Sequence, residues 1–252
     1  MKKAILITSV IEVDNAYPLT YSKVRSIFNT SDRLTHTIFT VGALDHICDD
    51  DTTIFLVDAS ASIDYAGLFS YQKNLVYVNV SKEFPELAKK IRTHPHKSHC
   101  ETLLQLAFFN KYKEQLKEYD FFFKLSGRYF FDRSFNLNMC IEENKDKFFF
   151  KHPLAFEWSD SWGYEMLDRR AVQQDNKLRQ YCSVLYGWSK SNHERMMDIY
   201  KVIAEFTDNA SGMKYDLETL LYFFTREFEK DIIEADWKVY GWTGVDGTFL
   251  RY

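Results

Sequence analysis

Glycine and proline are scarce in this 252-residue chain, at 9 and 4 residues, which excludes a collagen-like or low-complexity disordered protein. The four cysteines, Cys48, Cys100, Cys140 and Cys182, have neither the paired spacing of a zinc site nor the regular spacing of a disulfide framework. That scatter suits a reducing, cytoplasmic setting. No stretch approaches the roughly 18–20 apolar residues of a membrane span, so no integral membrane segment is expected. The opening MKKAILITSVIEVDN imitates a secretory leader through its two lysines, but its apolar run is short and no small-residue cleavage site follows. It reads as a first strand. Positive charge is not in surplus either: the net charge is −4, the isoelectric point is near 6.0, and no basic stripe interleaves with aromatics. Nucleic-acid binding is therefore not expected. What the chain has in quantity is hydrophobic residues, 46%, and aromatics, 17%, enough to build one large core. Nothing resembles a linker, so one domain is expected. Some of the 16 Tyr and 5 Trp should line a site, since their rings offer flat apolar faces with polar tips.

The most informative stretch is Tyr119 to Phe131, YDFFFKLSGRYFF. Its phenylalanines leave no polar alternation, which predicts a strand covered on both faces. The strand runs into a polar turn, Ser126-Gly127-Arg128, at its carboxyl end, where open α/β sheets bind ligands. Gly127 permits close backbone approach to a bound group, and Arg128 offers a planar fork of donors suited to phosphate oxygens. Upstream, strands are expected at Ala4–Ile11, Thr53–Val57 and Asn74–Val80. A helix over 31–46 is expected, with Ser31 or Asp32 as N-cap and Leu34, Ile38, Val41 and Asp45 on one stripe. A helix beginning near Lys97 places Leu103, Leu106, Ala107 and Asn110 together. Downstream, strands at Phe148–Pro153 and Tyr181–Trp188 and helices near 192–206 and 215–229 are expected. Alternation of strand and helix predicts a mostly parallel sheet with helices on both faces.

Taken together, these segments resemble a GT-A type nucleotide-sugar-dependent glycosyltransferase of the bacterial or viral glycan-synthesis kind. The resemblance rests on Asn29–Ser60, on the Lys-Ser-x-x-Glu helix start within His96–Leu106, and on YDFFFKLSGRYFF. It implies a single Rossmann-like α/β domain with a central, mostly parallel mixed sheet. Residues 1–131 would form the donor half and 132–252 the acceptor half. Ser-Gly-Arg fills the place where many such enzymes carry Asp-x-Asp, so carboxylates for a divalent metal on the diphosphate are not supplied by this turn. The expectation is that Arg128, helped by Lys97 and Lys124, neutralises the leaving diphosphate, with no metal ligands and no divalent metal required. Asp49-Asp50-Asp51 precede a strand instead of following one, which puts them at the wrong end of the sheet. His94, His96 and His99 in a proline-containing loop do not make a secure metal pattern.

The resemblance also implies the remaining roles. Thr8, Ser9 and Val10 at the end of the first strand would sit by the donor nucleotide, with Arg25 or Arg33 reaching phosphate or base and Asp58 a ribose or base. Lys97 and Ser98 at a helix start would meet phosphate, although Ser98 and Glu101 also have capping-box spacing. Glu218, with Asp216 as alternate, would be the base that deprotonates the acceptor in an inverting transfer; both also complement the amino end of a helix. Trp158, Asp160 and Trp162 would hold the acceptor, and Trp188, Trp242, Gly244 and Gly247 could close over it. The expected substrates are a UDP- or GDP-sugar and a glycan hydroxyl. A nucleotidyltransferase is the alternative enzyme, though TSVIEVDNAYPLT at 8–20 lacks a glycine-rich phosphate loop. The non-enzyme alternative is a carbohydrate- or nucleotide-binding module.

Overall fold

A computed structural model describes residues 1–61, 63–131, 135–142, 146–157, 177–208 and 216–251. The elements run β1 (Lys3–Ser9), α1 (Thr30–Gly42), β2 (Thr52–Asp58), β3 (Leu75–Asn79), α2 (Val80–Glu83), α3 (Pro85–Thr93), α4 (Lys97–Lys111) and α5 (Lys113–Leu116). There follow β4 (Phe121–Ser126), β5 (Tyr129–Phe131), α6 (Leu137–Glu142), β6 (Phe148–Lys151), β7 (Leu154–Glu157), β8 (Lys177–Gln180) and β9 (Leu185–Ser189). The last elements are α7 (His193–Asp208), α8 (Leu217–Thr225), β10 (Ile232–Ala235), β11 (Val239–Trp242) and β12 (Phe249–Arg251).

The central sheet has the strand order β10-β6-β9-β4-β1-β2-β3. The block β4-β1-β2-β3 is parallel throughout. β9 runs antiparallel to both β4 and β6, and β10 joins parallel to β6. Side chains of successive strand residues alternate between faces. Leu6, Phe55, Phe122, Phe148 and Trp188 accordingly pack on one side with α4, α7 and α8. Ile5, Ile7, Leu56, Phe123 and Phe149 pack on the other with Val41 and Leu44. Each such side chain contributes about 1.5–3 kcal/mol by leaving water, so the unbroken apolar runs are what place these strands at the sheet's centre. A smaller sheet, β12-β11-β5, continues from the turn after β4.

Several local expectations change. The N-cap of α1 is Asn29, which forms a reciprocal capping box with Asp32. Of the expected stripe Val41 is buried and Leu34 and Ile38 pack partly buried against the core, but the buried face also carries Arg33, His36, Thr37 and Thr40, with the Thr37 hydroxyl donating to the Gly127 carbonyl of the turn after β4 at 3.1 Å. α4 buries Thr102, Leu104, Gln105, Phe108 and Phe109, while Asn110 is exposed. β9 begins at Leu185 rather than Tyr181, since the preceding residues bond across the sheet's end: Tyr181 N–H to the Glu218 carbonyl and Ser126 N–H to the Val184 carbonyl. Asp49 sits at the amino end of β2, where its carboxylate takes the Lys3 ammonium at 2.6 Å.

Candidate active site

The chain leaves β1 for β2 and β3 on one side, then returns to place β4 on β1's other side. Connections diverge at that point, so the carboxyl ends of β1 and β4 flank a crevice that neither crossover fills. The crevice is a cleft of about 860 Å³, open mouth included, lined by Thr8 and Ser9 from β1, Ser126 and Arg128 from the β4 end, and Lys97 and Glu101 from α4. Arg25, Arg33 and Arg92 line it too, as do Gly244 and Val245 from the carboxyl-terminal segment.

The turn after β4 is held tightly. Gly127 N–H donates to the Thr8 carbonyl at 3.0 Å, and a Cβ at 127 would lie 3.2 Å from both that oxygen and Ser9 Cβ. Glycine is thus what lets β4 end against β1. Arg128 follows, its Nε donating to the Trp242 carbonyl at 3.2 Å. Gly244 passes over the guanidinium so closely that a Cβ there would stand 3.2 Å from Nη2. Trp242 is itself stacked on His36, ring centroids 4.4 Å apart.

The arginines of the cleft bond to neutral acceptors. Arg33 donates to the Val10 carbonyl at 2.7 Å and Ser26 Oγ at 3.2 Å. Arg25 donates to the carbonyls of Tyr17, His94 and Ile91, capping the end of α3. Arg92 donates to Ser81 Oγ at 3.0 Å and the Ala59 carbonyl at 3.4 Å. Among the described residues none of Arg25, Arg33, Arg92, Lys97 and Arg128 is ion-paired to a carboxylate, which leaves an excess of positive charge at the crevice. Lys97 stays open to the cleft, yet the surrounding protein desolvates it and Arg128 repels it, so its pKa falls; Glu101 and Glu218 partly offset this. Arg128 is likewise lowered by desolvation, with Glu101 opposing. An anion entering here would raise both again.

Lys124 has a different role from Lys97. It is wholly buried within β4, in direct contact with the Glu101 carboxylate, and donates also to Ser126 Oγ at 2.8 Å and to the Ser183 carbonyl. All three ammonium protons are committed, so Lys124 braces the cleft wall instead of reaching into it. Burial opposes ionisation of Glu101, but Lys124 and Lys97 hold its carboxyl below the usual range.

Of the expected site residues, Asp58, Ser98, Gly127, Asp216 and Glu218 lie outside the cleft lining. Asp58 is 1% exposed and accepts from Ile11 N–H, Ser60 Oγ and Tyr77 OH, locking the end of β2; desolvation lifts its pKa to about 6. Ser98 lies in the first turn of α4 behind the N-cap His96, so no Ser98–Glu101 capping box forms. Its Oγ instead accepts the Leu217 N–H at 2.9 Å and so fixes the start of α8 to α4.

That junction carries the late acidic pair. Asp216 is the N-cap of α8, accepting the Thr219 N–H at 2.7 Å and Gln180 Nε2 at 2.8 Å. Desolvation and the neighbouring Glu218 raise its pKa to about 7. Glu218, in the first turn, accepts from the Ser183 hydroxyl, and its charge acts on Lys97 and Tyr21. Trp158, Asp160 and Trp162 lie outside the described residues. Leu19, Arg92, Val245 and Asp14 line the cleft without having been legible as site residues, because they come from irregular segments and a helix end. Asp14 Oδ1 closes a local turn on Ala16 N–H. Among the described residues no three carboxylate, thiol or imidazole ligands gather at the turn after β4, and its hydroxyl, glycine and guanidinium do not suit a divalent cation.

This arrangement, with a Rossmann-like parallel block, an inserted antiparallel strand and a cleft at the β1/β4 divergence, is the GT-A fold of glycosyltransferases. Two solved structures share it across nearly the whole chain. Mouse xyloside xylosyltransferase 1 in its apo form superposes with a TM-score of 0.52 at 8% identity, covering 92% of this chain and 85% of that one. The mannosyltransferase Ktr4p from S. cerevisiae gives a TM-score of 0.53 at 9% identity, covering 94% and 70%. No family model matches the sequence, and no curated protein matches it.

Proposed function

We propose that this protein is a glycosyltransferase that moves a sugar from a nucleoside diphosphate sugar, UDP- or GDP-linked, onto a hydroxyl of a glycan acceptor. The observation that carries the reading is a cleft at the β1/β4 divergence of a GT-A fold, lined by five basic side chains without carboxylate partners among the described residues. Thr8 and Ser9 flank the donor. Arg128 and Lys97, with Arg33 and Arg25 behind them, neutralise the diphosphate as it leaves, in the place where related enzymes use Asp-x-Asp and a metal. Glu218 takes the acceptor's proton, with Asp216 as its alternate; the acceptor oxygen bonds to the anomeric carbon, the carbon–oxygen bond to the diphosphate breaks, and its electron pair departs with the nucleotide. Attack opposite the leaving group inverts the anomeric centre. Trp158, Asp160 and Trp162 supply the aromatic face and carboxylate for the acceptor. Residues 1–131 thus chiefly serve the donor and 132–252 the acceptor. The free thiols Cys48, Cys100 and Cys182 support a reducing, cytoplasmic setting.

Incubation with a panel of nucleotide sugars, read as nucleoside diphosphate release with proton NMR of the product, tests this reading. Turnover that persists in EDTA and an inverted product are expected. Activity lost in EDTA and restored by Mg²⁺ or Mn²⁺ would overturn the metal-free leaving-group site, and a retained configuration would overturn Glu218 as base. Binding of no donor at all would leave the non-catalytic module as the better reading.

A further inference from the structure

A second cluster lies at the start of α4, outside the cleft lining. His94 from the α3–α4 loop, His99 from the first turns of α4 and Asp208 at the end of α7 bring their ligand atoms within 4.8 Å of one another. His99 is 2% exposed, and its surroundings fix its tautomer. Nδ1 faces the Ala204 carbonyl at 3.1 Å and Thr207 Oγ1 at 3.3 Å. The Thr207 hydroxyl has one proton and directs it to the Ile203 carbonyl at 2.7 Å. With acceptors alone in front of it, Nδ1 carries the hydrogen. Nε2 of the neutral ring then presents a lone pair. It has no hydrogen-bond partner and lies 3.2 Å from Asp208 Oδ1. Two electron-rich atoms at that distance repel unless a cation or a proton stands between them.

We propose that His94, His99 and Asp208 form a binding site for a divalent transition-metal ion of the zinc class, fastening the start of α4 to the end of α7. Two imidazoles and a carboxylate are a donor set suited to Zn²⁺, with a fourth position left to water. The donation of His99 Nδ1–H to a backbone carbonyl is the outer contact that orients ligating histidines. Bonds of about 2.0–2.1 Å in a tetrahedron set neighbouring ligands roughly 3.3 Å apart, close to the His99–Asp208 spacing. His94 stands further off: its Nδ1 accepts the His96 N–H at 3.2 Å, and this half-buried ring gives up that contact by turning toward the ion. Lys90, whose Nζ lies 3.1 Å from Asp208 Oδ1, is 42% exposed and free to yield to the ion. The bound ion would stiffen the 94–96 loop, onto which Arg25 and Thr20 dock through the carbonyls of His94 and Pro95. None of the three ligands lines the donor cleft, and metal binding is read without a nucleotide, so the site holds or fails independently of the transferase reading.

Metal-stripped full-length protein titrated with Zn²⁺ by calorimetry, and with Co²⁺ by its visible ligand-field bands, tests the site. One equivalent is expected to bind with a tetrahedral Co²⁺ spectrum and a rise in Tm. His94→Ala and Asp208→Asn, at a half-buried and an exposed position, should keep the metal-free Tm while losing at least the roughly 100-fold affinity that marks disruption of a metal's ligand environment. Lys90→Ala should bind as tightly as wild type or tighter. Equal affinity in both ligand variants overturns the site. So does the absence of saturable binding.

Discussion

At the scale of single residues, the cleft separates charges that look alike in sequence. Arg128 is fixed by the Trp242 carbonyl through Nε, while its terminal nitrogens remain beside Gly244 at the cleft. Replacing it with alanine should lower kcat/KM for the donor by about 10–1000-fold with little change in Tm, and lysine should restore only part, lacking the planar fork. Lys124 is the opposite case. Lys124→Met leaves the buried Glu101 carboxylate without its partner and should cost about 3–5 kcal/mol in urea unfolding. Sequence reasoning found both cations from their place in a phenylalanine-rich strand and its exit. It could not divide their labour, because the atoms that claim Lys124 come from Glu101 and Ser183, far along the chain.

At the scale of elements, strands were easier to read than helices. β1, β2, β3 and β4 emerge within two residues of expectation: β1, β2 and β4 are buried along nearly their whole length and signal themselves by apolar runs, and the edge strand β3 by its Leu-Val-Tyr-Val. α1 and α4 misled, as the sides they bury carry Arg33, His36 and Thr37, or Thr102 and Gln105; Thr37 reaches the Gly127 carbonyl and Gln105 Oε1 accepts from Tyr186, partners that come from other elements. Periodicity cannot register a buried face that is polar. The Ser98-to-Glu101 spacing had the same weakness, since the helix begins two residues earlier than a cap at Ser98 requires. The β4-to-β5 turn offers the sharper experiment. Gly127→Val places methyl groups where Thr8 and Ser9 already stand, pushing β4 off β1, so calorimetry should show donor binding weakened at least tenfold even where the fold survives.

For the whole molecule, two buried carboxyls set a pH dependence. Asp58 and Asp216 have pKa values raised by desolvation to about 6 and about 7, above the roughly 3.9 of an unfolded aspartate. The native state therefore holds these protons more firmly. Their contribution to stability is complete below about pH 4 and disappears as pH climbs through 6 and 7. Urea melts at pH 5 and pH 8 should show wild type losing stability across that interval, and Asp216→Asn, which keeps a competent N-cap, losing less. A steeper loss in the variant would contradict the assignment. No helix among the described residues is long and apolar enough to cross a membrane.

β9 enters the central sheet between β4 and β6, antiparallel to each, although more than fifty residues separate it from β4 along the chain. A ribosome releasing this polypeptide must therefore expose a phenylalanine-lined strand border for the time taken to translate that intervening stretch. An amino-terminal fragment stopped at Phe131 would keep the border permanently open and should precipitate or recruit chaperones rather than bind nucleotide.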